Sequence, residues 1–424
     1  MKKILALLLT AFAAMLAGCH SGGSSGNNNA SVRALNAVVD AEPLDILVDD
    51  TVQLPAVAAN TVTSFVSVGS GTKDVKARSS TTQTVLVDKS LGFSGGIRNT
   101  ILLFGKRLAM NALVLPEDTT AASSGHSRVR VVNLSPDAGP VDLYLTATDI
   151  TSTGAVSSSV VFGSVSATTE ITSANLKVVF ASAGTTDILF QSTAPQTFTA
   201  GTNYTIVATP SLGGKLVNAV ILQDNGGPGT FIANTQARVK AVNAMPDATV
   251  NVKIDNATLL TTVPFTGTSS YLSTASGTHT LQTELSNVPG TTIASQSVNL
   301  GAARDYTMLA TGTTASPGVV TLTDDNSVPN AGFAKIRYVN AISTGESVDV
   351  LLNFATQSTN IGGFSASPYF QTASGLNYTI GFSTPGGVTV IAQLTGVQLD
   401  AGSVYSAYLF GTRAAPQVKL VRDR

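Results

Sequence analysis

One phrase occurs four times along the chain. It reads Val32-Arg33-Ala34-Leu35-Asn36, Val129-Arg130-Val131-Val132-Asn133, Val239-Lys240-Ala241-Val242-Asn243 and Ile336-Arg337-Tyr338-Val339-Asn340. A period of roughly one hundred residues predicts an array of similar modules, not one large domain. Two further landmarks keep the period. Gly71, Asn175, Gly277 and Gly375 stand 35, 42, 34 and 35 residues after the four asparagines, and Asn99, Tyr204, Tyr306 and Tyr405 follow 28, 29, 29 and 30 residues later. The one discordant offset marks an insertion of about seven residues in the second module, assigned to the small, polar stretch Thr146–Ser159, as a tolerated surface loop should be.

Within each period the pattern is that of strands with one buried face. Val141, Leu143 and Leu145 alternate with Asp142 and Tyr144, and Val250, Val252 and Ile254 with Asn251 and Lys253. Residues that accept positive φ, three glycines and an asparagine, hold the second landmark and predict a tight turn there. Strand glycines such as Gly105, Gly312 and Gly411 read as bends or bulges. At the third landmark an apolar residue stands six before each tyrosine (Phe198, Leu300, Leu399), with Gly201, Ala303 or Gly402 between. This resembles the tyrosine corner of immunoglobulin-like and fibronectin-like sandwiches, and implies that the phenol bonds back to nearby backbone. The first module departs, with Asn99 in place of tyrosine. About seven strands per module are expected, closed by a hairpin such as Thr205–Ala208 with Val217–Leu222.

The fold predicted is therefore all-β: tandem immunoglobulin-like or fibronectin-like β-sandwich modules over 31–118, 127–226, 236–326 and 334–424. Polar linkers Pro116–Gly125, Asp224–Asn234 and Asp324–Gly332 join them, which predicts a semi-flexible string. Asn133-Leu134-Ser135-Pro136-Asp137-Ala138-Gly139-Pro140-Val141-Asp142-Leu143-Tyr144 resembles the opening motif of the bacterial domain-of-unknown-function family numbered 4397, and Asn243-Ala244-Met245-Pro246-Asp247-Ala248 matches it again. The first copy keeps Asn36, Asp40 and Asp45 without the proline; the fourth keeps Asn340 and Asp349 but has Ser343-Thr344-Gly345 instead. The resemblance implies exported cell-envelope β-modules and no known activity.

The N-terminus supplies an address. Lys2 and Lys3 precede an apolar run, Ile4–Leu16, too short to span a bilayer as a mature helix. It ends in Leu16-Ala17-Gly18-Cys19, which resembles the lipobox of bacterial lipoproteins. That resemblance implies a signal peptide over 1–18, cleavage before Cys19 and lipidation there. His20, where an aspartate favours inner-membrane retention in Gram-negative lipoproteins, implies delivery to the outer membrane. Residues 19–30 read as a flexible tether, long enough to span roughly 18 Å. Cys19 is the only cysteine, so its acylation excludes disulfides and thiol chemistry in the mature chain. Net charge is −1, and losing Lys2 and Lys3 moves it to −3. Such a balance gives nucleic acid no electrostatic purchase.

Few residues suggest chemistry. Asp137 and Asp247 are either loop contacts or turn formers, since Asn-x-x-Pro-Asp is a turn-forming string. Asp149 is the lone charge of the inserted loop and reads as a contact residue. Asp224, Asp324 and Asp325 cluster at module ends, where carboxylates can hold Ca²⁺; no other cofactor is expected. Of the three histidines, His279 falls at an outward strand position. No phosphate-binding glycine loop, zinc spacing or paired-carboxylate motif is visible. The sequence thus predicts a lipid-anchored, non-enzymatic envelope protein with a binding or spacing role toward a protein or glycan. The alternative is an accessory or carbohydrate-binding component of an envelope enzyme system, and the absence of tryptophan lends glycan binding no support.

Overall fold

The computed structural model describes residues 29–424 apart from Asn225 and Val388. The leader, Cys19 and most of the 19–30 tether lie outside the described residues. Asn29 and Ala30, placed in that tether from sequence, open the first strand of module 1.

Module 1 shows the plan. Its strands are β1 (Asn29–Asn36), β2 (Leu44–Val48), β3 (Thr51–Val57), β4 (Thr61–Val62), β5 (Val66–Gly69), β6 (Gly71–Ser79), β7 (Val85–Phe93), β8 (Arg98–Lys106) and β9 (Ala109–Pro116). One sheet runs β4-β1-β8-β9, with β5 also pairing β1, and the other runs β3-β2-β6-β7. The first strand is central in its sheet and parallel to β8; its other neighbours are antiparallel. The two sheets enclose a core that includes Val32, Ala34, Ile46, Val75, Phe93, Ile101 and Leu103. Three further modules repeat this sandwich, so the predicted fold class holds, with eight to ten strands per module in place of about seven.

The second landmark is not a turn in the expected sense. Gly71, Asn175, Gly277 and Gly375 are each the first residue of a long strand. In module 1 the chain crosses there from β5, in one sheet, to β6, in the other, and only Gly71 and Gly277 have positive φ (95° and 127°). The hairpin glycines do behave as bulge residues. Gly105, Gly312 and Gly411 have φ of 97°, 78° and 92°, and a Cβ on each would lie 2.5 Å or less from a carbonyl oxygen across the hairpin. The insertion Thr146–Ser159 carries a single 3-10 turn, Ile150–Ser152, and linker 2–3 contributes a strand, Gly229–Ile232, that extends the second module's sheet.

The modules do not form a string. In β8 the inward residues Ile101 and Leu103 fill the module core, while the outward Leu102 and Phe104 are equally buried, against Val132, Leu134, Val207, Val220 and Leu222 of module 2. Modules 3 and 4 pack in the same way, through Val242, Ala244 and Leu309 on one side and Val339, Ala341, Tyr408 and Phe410 on the other. Apolar surface on both faces of the central strands drives this pairing, since a sheet with two apolar faces must cover both. The Tyr408 and Phe410 rings stack 5.2 Å apart at the seam, and Phe265 of module 3 meets Phe410 edge-on at 6.0 Å.

The two pairs are held to each other by loops. The closing hairpin of module 2 approaches module 3 so nearly that a Cβ on Gly213 would lie 2.3 Å from the Ala303 carbonyl oxygen. Ser211 Oγ donates to that same oxygen at 3.2 Å.

Candidate functional site

The fourfold phrase can be read atom by atom. Its first and third residues face the module core, its second and fourth face the seam, and its asparagine turns inward at the strand end. Each asparagine is fully buried and clamps the opening loop. Asn133 Nδ2 donates to the carbonyls of Gly139 (2.9 Å) and Val160 (3.0 Å), and its Oδ1 accepts from Ser135 N (3.0 Å). Asn243 does the same with Ala248, Val263 and Met245, and Asn340 with Glu346, Ile361 and Ile342. Asn36 makes the shorter version, to Val57 and Val38.

A second recurring device lies on the following strand. Asp45, Asp142, Asn251 and Asp349 each use Oδ1 to accept the backbone N–H of a neighbouring-strand residue, Ala56, Ser159, Thr262 and Asn360, at 2.7–3.0 Å. Those four partners are non-glycine residues with φ of 47–57°, where the strand register slips by one. A side-chain acceptor thus fixes a β-bulge in a backbone conformation that L-residues avoid. The tyrosine corner is present where predicted. The phenol oxygens of Tyr204, Tyr306 and Tyr405 accept from the backbone N–H five residues earlier, at 3.0, 2.8 and 3.1 Å. In module 1, Asn99 Nδ2 donates to the Ile97 carbonyl instead.

The basic residue of the phrase lies at the seam and reaches into the partner module; Arg33, Lys240 and Arg337 are buried there and Arg130 is half-buried. Arg33 binds Thr100 Oγ1 (3.0 Å) in its own module, then the carbonyls of Gly227 (2.7 Å) and Gln223 (3.2 Å) beyond the seam. Arg130 mirrors it, binding Thr205 Oγ1 (2.8 Å) and the Pro116 carbonyl (2.7 Å). In the other pair Arg337 binds Ser406 Oγ (2.8 Å) and pairs with Asp324 (2.6 Å), while Lys240 pairs with Asp423. Aromatic rings cover three of these cations: Phe65 lies 4.7 Å from the Arg33 guanidinium, Tyr271 5.2 Å from Lys240 and Tyr369 5.0 Å from Arg337. Burial works against both charges, yet Tyr408, Asp423 and Asp324 together hold Lys240 above its ordinary pKa. Arg337 is likewise held high, chiefly by Asp324.

The residues singled out from sequence therefore fall as follows. Asp137 is buried; its Oδ1 accepts Val328 N of linker 3–4 at 2.6 Å and lies 3.5 Å from Lys106 Nζ. Asp247 receives the Thr314 backbone N–H (2.9 Å) and hydroxyl (2.6 Å), capping the closing hairpin of its module, as Asp40 caps Arg107 in module 1. Asp149 is exposed and caps the 3-10 turn through Thr151 N (3.1 Å). Asp224, Asp324 and Asp325 do not converge. They face Arg130 (3.6 Å), Arg337 (2.6 Å) and Lys335 (2.8 Å), so Ca²⁺ at the junctions would have to displace those groups. Among the described residues no three acidic, histidine or cysteine side chains gather as metal ligands. His279 lies on its strand with Nδ1 2.7 Å from Asp255. Burial pushes the Asp224 carboxyl up to about 6, with Glu117 adding to the shift against Arg130 and Arg33.

The family model described as "Domain of unknown function (DUF4397)" matches residues 30–144, 237–350 and 334–424, well over half of the chain. The chain belongs to the DUF4397 family. The two longer DUF4397 matches each begin at a module's first strand and end in the second strand of the module it packs against. No curated protein matches. One solved structure, the Bacillus anthracis TIE protein, aligns at 8% identity with a TM-score of 0.16, over 87% of this chain and 65% of that one. The chain spans less than two thirds of that protein's length, and a likeness this low carries no argument about fold or function.

Proposed function

We propose that this DUF4397 protein is a lipid-anchored component of the bacterial cell envelope, delivered to the outer membrane, that acts by binding rather than by catalysis. It does so as a compact platform of four modules and not as an extended spacer. The observation that carries the reading is the use made of the recurring polar residues. In each module the asparagine clamps the opening loop, the carboxylate or amide on the next strand fixes a bulge, and the basic residue locks a seam. What the repeats maintain is the assembly itself, and the loops and outer sheets then form a surface for a protein or glycan partner. The Leu16-Ala17-Gly18-Cys19 resemblance supports the anchor.

Metabolic labelling with a palmitate analogue, followed by membrane fractionation, tests the anchor. Wild type should take the label and sediment with membranes, and Cys19→Ala should lose both properties. An unlabelled wild-type protein in the soluble fraction would overturn the reading.

A further inference from the structure

A cleft of about 810 Å³ lies where modules 2, 3 and 4 meet. Gly139, in the opening loop of module 2, lines it on one side, with Lys215, Arg238, Tyr271, Asn326 and Arg424 on the others. Clefts at domain interfaces with a few convergent polar groups are where small ligands bind. Most of the polar groups here already have partners. Lys215 Nζ is 2.7 Å from Asp187, Arg238 makes two bonds to Asp305 (2.9 and 2.5 Å), and the Tyr271 hydroxyl donates to Asp324 at 2.5 Å.

Asp423 is taken by Lys240 and Ser406. Asn326 is 1% exposed; its Nδ2 donates to Asp305 at 2.7 Å, and its Oδ1 is closed off from the cleft. One group is left over. Arg424 has five donors and places one on the Asn326 carbonyl (3.1 Å), and among the described residues none goes to a carboxylate. Burial lowers its pKa despite the attraction of Asp137 and Asp305, so its charge is under-compensated.

We infer that this cleft is a binding site for a small carboxylate-bearing ligand. The guanidinium of Arg424 takes the carboxylate. Small organic acids and acidic sugars have this chemistry; neutral sugars lack it. The assignment deepens the binding reading above and rests on it. The labelling test reads Cys19 and this one reads the cleft, so either can fail without the other.

The test is calorimetric titration of residues 29–424 with glucuronate as probe and glucose as neutral control. Saturable binding is expected for glucuronate alone, weakened about tenfold to a hundredfold in Arg424→Gln, the range for losing a charged hydrogen bond. Arg424→Lys, which keeps the charge but not the fork, should recover part of the affinity. Thermal melts establish that each variant is folded. Absence of saturable glucuronate binding, equal binding of glucose, or unchanged affinity in a folded Arg424→Gln would each overturn the assignment.

Discussion

Asn243 holds two carbonyls and one amide of the module 3 opening loop from a position with no solvent access. Alanine there leaves all three groups buried and unpaired, so Asn243→Ala should lose about 2–4 kcal/mol of stability in chemical denaturation. A loss within the scatter of a surface substitution would contradict the clamp. Asp224 supplies a pH test. Its folded pKa of about 6 lies above the ordinary 3.8, so between those values the folded chain holds a proton that the unfolded chain has released. Stability from this group therefore rises as pH falls from 6 toward 4, by at most about 3 kcal/mol, and is lost above 6. Asp224→Asn should flatten that part of the profile; an unchanged slope in the variant would assign the dependence elsewhere. At this scale the sequence was legible where a residue recurred. The asparagines, the tyrosine corner and the bulge glycines all sit where spacing placed them. Asp137 was ambiguous, because its partner Val328 lies 191 residues away and no local pattern marks such a contact.

The strands carry the lesson about packing. Alternation picked the inward residues of strands such as Val250–Ile254 correctly: Val250, Val252 and Ile254 are core, while Asn251, expected outward, is buried where it fixes the bulge. The central strands read differently: Ile101-Leu102-Leu103-Phe104 and Val404–Phe410 are near-continuous apolar runs, and such runs mark burial on both faces. That signal was available and points to the seams; the polar linkers, which suggested independence, say only that the chain turns there. The buried cations of the seams belong to the same argument. A buried ion pair adds little net stability but penalises any arrangement that leaves it unpaired, so Arg337 with Asp324 and Lys240 with Asp423 fix which module pairs with which and in what register. Between pairs, the docking hairpin of module 2 needs a bare backbone at Gly213. Gly213→Ala should cost about 1–3 kcal/mol by overpacking against Ala303, read as a lower melting temperature. A variant as stable as wild type would show that the hairpin does not dock there.

For the whole molecule, repetition gave the number of modules and their sandwich plan, but not their arrangement. The period of a repeat describes what each unit does internally. How units meet depends on outward residues such as Leu102, Val132, Val242 and Phe410, whose apolar character says that a second face is covered but not by which module. Face-to-face pairing, with loops tying the pairs together, turns four modules into one body with an interior cleft, and both proposals about binding depend on that body existing. Small-angle scattering of residues 29–424 tests it most directly. The account predicts a radius of gyration near the roughly 21 Å of a compact chain this long, unchanged by dilution. A value about twice that, with the profile of separate beads on a thread, would contradict it.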